Sequence, residues 1–174
     1  MGSIHWQRVE NCDLGGTNRS GYAKQDREKY LHESSSGWIG TDGLAVCVAL
    51  IVAGQDSQHQ WKAAIHHYSG ADDPDEIFDD MIAHLREAGM AGTPALYAVG
   101  GSTGQDRSEP IDRVLQLRQT PRFAGLTVLR NEREYREPHE QNPDTSAAAV
   151  KIYVVGEDLR IQCSGLTTYQ LLPS

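Results

Sequence analysis

One thiol and two imidazoles lie at a spacing that could make a Cys-His pair. Cys47 sits in the most apolar run of the chain, and His66 and His67 follow about one strand-turn-strand later. A cysteine becomes a strong nucleophile only as the thiolate, so it needs a base beside it. Directly paired residues on neighbouring strands have Cβ atoms about 5 Å apart, close enough for a histidine across a hairpin to serve. Such a pair attacks an acyl carbon and returns the proton to the leaving group. The competing reading is an inert thiol packed in a core strand, the commonest state of a buried cysteine.

Positioning that pair requires two adjacent strands. Leu-Ala-Val-Cys-Val-Ala-Leu-Ile-Val at 44–52 is β-rich and apolar on both faces, which predicts a central strand covered on both sides. Ala53 to Ser57 is a turn cluster, and Trp61 to Tyr68 reads as the returning strand. Alternation places Trp61, Ala63, Ile65 and His67 on one face, with Lys62, Ala64, His66 and Tyr68 on the other. The Trp-Ile face is the core side, which favours His67 as the base. A single bulge would hand the role to His66. Upstream, Gly40 and Gly43 let the chain bend and another group approach closely.

A helix is predicted next, with Asp73 as cap, Pro74 at the first helical position and Glu76 three residues after the cap. Ile77, Met81, Leu85 and Ala88 form its apolar stripe, widened by Phe78 and Ile82, and Gly89 ends it. The pattern then predicts a short strand at 95–99, a helix at about 110–118 and a strand at 126–130. Residues 131–146 read as a long loop. Strands at 151–155 and 159–163 flank a three-residue turn, and a last strand covers 167–172. Residues 1–36 show little periodicity and read as a polar N-terminal arm, leaving 37–174 as one domain. Strands and helices interleave only partly, so the expected class is α/β, a single-domain sandwich around a mixed sheet.

The chain has 174 residues, enough for one core, and a formal net charge of −8, which argues against a nucleic-acid groove. No apolar run approaches the roughly 18 residues of a membrane helix. The N-terminal residues lack a signal peptide's basic start and apolar core, so the expected setting is a reducing, cytoplasmic one. An effector delivered without a classical signal stays open. Cys12, Cys47 and Cys163 are an odd number at no zinc-like spacing. A zinc site from His59, His66 and His67 with Cys47 is the weaker alternative, because adjacent histidines on a strand point opposite ways. Gly100-Gly101-Ser102-Thr103-Gly104 lies between a strand and a helix. It could cradle a phosphate or form a flexible rim to the site, but no Lys-Ser/Thr follows to make it a Walker loop.

Thr41-Asp42-Gly43-Leu44-Ala45-Val46-Cys47-Val48-Ala49 resembles the Thr-x-Gly-Leu-x-x-Cys-Val-Ala signature of the CheD-type chemoreceptor glutamine deamidases. The catalytic domain of cytotoxic necrotizing factor is similar in its Cys placement and in a His on the following strand. The resemblance covers 38–70 well and the rest loosely. One difference is that Ala45-Val46 stands where the family has small Gly-Ser or Ser-Gly residues. The resemblance implies a deamidase-like α/β domain over 37–174 that hydrolyses a protein glutamine side chain through a thioester. It further implies Cys47 as nucleophile, His67 (or His66) as base, and Thr41 as the residue orienting the histidine. Gly100, Gly101, Ser102 and Thr103 would then border the substrate, which is a glutamine-bearing protein. No cofactor or metal is called for. Transglutamination by the same groups, and a non-catalytic interaction module on the same fold, are the alternatives.

Overall fold

The computed structural model describes residues 2–102, 109–131 and 147–165. Among these residues, nine strands make two mixed sheets, and two α-helices cover one of them. Strands β1 (Ile4–Arg8), β3 (Trp38–Leu44), β8 (Ala148–Val155) and β9 (Asp158–Ser164) form one sheet in the order β1-β9-β8-β3. Strands β2 (Glu28–Tyr30), β4 (Val48–Asp56), β5 (Trp61–Tyr68), β6 (Met90–Ser102) and β7 (Thr127–Asn131) form the other, in the order β2-β5-β4-β6-β7. Each sheet has one parallel pair, β1 with β9 and β6 with β7; the remaining pairs are antiparallel. The α/β sandwich expected from the sequence is present, with two mixed sheets rather than one.

Alternation along the strands builds two cores. Ile39, Leu44, Val150, Ile152, Leu159 and Ile161 of the four-stranded sheet meet Ala49, Ile51, Ala63, Ile65 and Val99 of the five-stranded sheet. The opposite face of the larger sheet carries Val48, Leu50, Val52, Ala64 and Tyr68. That face is covered by Ile77, Phe78, Met81 and Leu85 of α1 (Pro74–Glu87) and by Ile111 and Val114 of α2 (Glu109–Leu117). A strand apolar on both faces is what such a layer needs, and the β4 segment supplies it.

Several sequence expectations move. The predicted N-terminal arm contains β1 and β2, each closing an edge of a sheet, and Leu14, Gly21 and Ala23 in between are buried. Cys12 is half-buried, with its thiol 3.5 Å from the carbonyl oxygens of both Ala149 and Gln162. Asp73 does precede α1, but its side chain makes no capping bond; it lies 3.9 Å from Arg113 Nη1 instead. The short strand at 95–99 extends over all of β6. The β8–β9 turn is two residues, since Val155 pairs with Asp158. The long loop over 131–146 and the closing strand at 167–172 lie almost wholly outside the described residues. No helix among them is long and apolar enough to cross a membrane.

Candidate active site

Cys47 occupies a corner rather than the middle of a strand. The apolar run that reads as continuous is divided between sheets: β3 ends at Leu44, Ala45-Val46-Cys47 turns, and β4 starts at Val48. A bulge between Thr41 and Leu44 in the β3–β8 ladder prepares the corner, with Gly43 at φ 67° taking the left-handed position. Val46 is 40% exposed at the turn, while Cys47 is half-buried and packs against the inter-sheet core.

The end of β6 holds this corner from the other side. Gly100 lies opposite Val48, and the Gly101 N–H donates to the Cys47 carbonyl at 3.1 Å. Gly100 has φ 112°, and a Cβ there would stand 2.9 Å from both the Cys47 carbonyl oxygen and the Leu44 Cβ. Alanine at 100 must therefore shift the backbone beside the thiol. We expect Gly100→Ala to destabilise the fold by about 2 kcal/mol or more in chemical denaturation, combining backbone strain with the clash.

His67 faces the same inter-sheet space. It pairs with Ala49 in the β4–β5 ladder, two residues beyond Cys47, and is 7% exposed. Its Nδ1 lies 2.7 Å from Thr41 Oγ1, and that hydroxyl also lies 2.7 Å from the Ala23 carbonyl oxygen. A carbonyl can only accept, so the single Thr41 proton goes to Ala23, and the proton shared with the imidazole belongs to His67. In the neutral ring, Nδ1 is therefore the N–H and Nε2 carries the lone pair. That is the tautomer a general base requires. The hydrogen bond that His67 makes among the described side chains is the one at Nδ1.

Residues 21–27 lash the two sheets together around this histidine. Ala23 N–H donates to Gly40 O on β3, and Gly40 N–H donates to Gly21 O. Three residues after Ala23, Asp26 N–H donates to His67 O at 2.7 Å, and His67 N–H donates to Arg27 O at 3.1 Å. Asp26 holds φ 59°, unusual for a residue with a side chain. Its carboxylate accepts from Ser69 N–H and Oγ–H. Burial opposes its ionisation, but the Ser69 hydrogen bonds prevail and hold its carboxyl below the usual range. Nothing in the sequence singles out Asp26. It stands in a polar stretch without periodicity and reaches the site only because β2 leads onto β5.

The electrostatics favour a neutral pair. Burial pushes the Cys47 thiol up, and the negative charge of Asp26 adds to that. Burial lowers the His67 imidazole, against opposing attraction from Asp26 and Asp42. Among the described residues no hydrogen bond joins the Cys47 sulfur to either histidine. Burial and the Asp26 carboxylate therefore both work against a thiolate at Cys47, and burial works against an imidazolium at His67.

His66, the alternative base, points to the helix-covered face with Leu50 and Tyr68. Its Nδ1 lies 3.2 Å from Glu28 Oε2, and its buried Nε2 has no partner among the described residues. Strand alternation excludes it from the inter-sheet space that His67 enters. His59 sits in the β4–β5 turn at φ 62°, at the opposite end of a hairpin eight pairs long, about 25 Å from the corner. The weighed zinc set is therefore not assembled. Of the 100–104 loop, Gly100 and Gly101 border Cys47, and the Gly101 N–H is already committed to its carbonyl. Ser102 ends β6, and Thr103 and Gly104 lie outside the described residues. No protein-family model and no curated protein matches this chain.

Proposed function

We propose that this protein is a cysteine-dependent amidohydrolase acting on the side-chain amide of a glutamine in another protein, on a CheD/cytotoxic necrotizing factor-like domain. The observation carrying the reading is the Ala23–Thr41–His67 hydrogen-bond chain. It presents an Nε2 lone pair in the same inter-sheet space as Cys47.

Because burial and Asp26 disfavour a free thiolate, the proton leaves sulfur as substrate is attacked. His67 Nε2 takes the Cys47 proton while sulfur bonds to the carboxamide carbon and the C=O electrons move onto oxygen. Backbone N–H groups near Cys47 would stabilise the oxyanion, a contribution worth about 3 kcal/mol. Collapse expels nitrogen, which takes the proton from His67 and leaves as ammonia, giving a thioester. Water, deprotonated by Nε2, then attacks the thioester; sulfur leaves and recovers the proton. Thr41 keeps Nδ1 protonated throughout and shares the imidazolium charge. Asp26 favours the imidazolium that forms at each step and disfavours a free thiolate. Both effects suit concerted proton transfer.

The test is incubation of the protein with a cell lysate. Glutamines that gain one dalton, with release of ammonia, support hydrolysis. Loss of that ammonia to an added primary amine, with a matching adduct, would mark a transglutaminase instead. A lysate with neither change sinks both.

A non-catalytic interaction module is the second reading, favoured by the missing sulfur–imidazole hydrogen bond. Thiol reactivity separates the two. Peptide-resolved iodoacetamide labelling of Cys47 should rise with pH, with a midpoint above the ordinary thiol value of 9.0, and Asp26→Asn should lower that midpoint. A sulfur that stays unmodified across the range is merely packed. Fast, pH-independent labelling would instead reveal a resting ion pair and overturn proton transfer during attack.

A further inference from the structure

On the helix-covered flank, away from Cys47, a different group of side chains converges. His32 and Glu33 belong to a single 3-10 turn, Leu31–Glu33, that follows β2, and His84 lies in the last turn of α1. His84 Nε2 is 2.5 Å from Glu33 Oε2, and His32 Nε2 is 3.5 Å from that same oxygen. All three ligand atoms lie within 4.8 Å of one another. We infer that His32, Glu33 and His84 form a binding site for a divalent transition metal of the zinc, cobalt or nickel type.

The donor set argues for the ion class. Two imidazoles and one carboxylate suit zinc and its neighbours, whereas magnesium and calcium require mostly oxygen. A tetrahedral ion with bonds of about 2.0–2.2 Å needs ligand atoms about 3.3 Å apart, so the observed spacing requires only small side-chain rotations. His84 is already oriented, since its ring stacks on Tyr30 at 3.7 Å between centroids and 16° between planes. A simple imidazolium–carboxylate pair would use one histidine. Here both Nε2 atoms address one oxygen from two different elements. All three side chains are partly exposed, leaving the fourth position to water or to a ligand from a partner. An ion there would tie edge strand β2, which pairs with β5, to α1.

Calorimetric titration of the full chain with zinc, and the visible spectrum of its cobalt form, test the site. The expected result is one ion per chain, a cobalt spectrum of d–d bands without thiolate charge transfer, and a higher melting temperature on zinc addition. His84→Ala and His32→Ala should each weaken binding by about tenfold or more, and Glu33→Gln should do likewise without altering the exposed helix face. Binding that survives all three substitutions, a thiolate charge-transfer band, or no binding of zinc below millimolar concentration would overturn the assignment.

Discussion

Deamidation by the Cys47→Ser variant should fall by about 10⁴-fold or more, with folding stability unchanged within about 0.5 kcal/mol. The residue is half-buried at a corner, and serine is close in size, so the core loses little. What is lost is the chemistry. An alcohol is far harder to deprotonate than a thiol, and here burial and Asp26 already oppose the anion. His67→Gln should cost a similar factor, because an amide cannot take the proton from sulfur. Their double variant should be no worse than either alone, since the two residues act as one unit. Independent, multiplying losses in glutamine conversion measured by mass spectrometry would show that they do not form a pair.

Thr41→Val should reduce turnover by about 10²-fold or more and stability by about 2–4 kcal/mol. Thr41 is 0% exposed, and valine fills nearly the same volume without the hydroxyl. The Ala23 carbonyl and the His67 Nδ1–H would each lose a buried partner, at about 1–3 kcal/mol apiece. Freed from Thr41, the imidazole could place its proton on Nε2, where it cannot act as a base. Thr41→Ser keeps both hydrogen bonds and should restore most activity. Nitrogen NMR of His67 reads the tautomer directly: Nδ1–H in the parent and in Thr41→Ser, a mixture in Thr41→Val. An unchanged tautomer in Thr41→Val would refute the positioning role, whatever happened to stability.

The hairpin around the site is local, and local patterns announce it. Trp61–Tyr68 was bounded by its turn cluster and the following glycine, and period-two alternation alone puts His67 with Ile65 and His66 with Tyr68. The helix after Asp73 was equally open to reading, because Ile77, Met81 and Leu85 recur along one face. Strand β3 was not. Gly40, Asp42 and Gly43 interrupt its apolar pattern, and its partner β8 lies more than 100 residues away. Strand β1 is short and mostly exposed, and it owes its existence to β9, which is 155 residues distant.

Sequence therefore determined which side chains can share a face: it put a thiol inside an apolar β run and two neighbouring imidazoles on opposite faces of the returning strand, His67 with Ile65. Tertiary structure decided what surrounds them. The corner that splits the apolar run, the hydroxyl that sets the His67 tautomer, and the Asp26 carboxylate all come from segments meeting across two sheets. Alternation is a property of a single strand, whereas proton position and local charge depend on atoms brought close by folding. Only the folded chain sets burial and Asp26 against charge on the sulfur, and burial against charge on the imidazole.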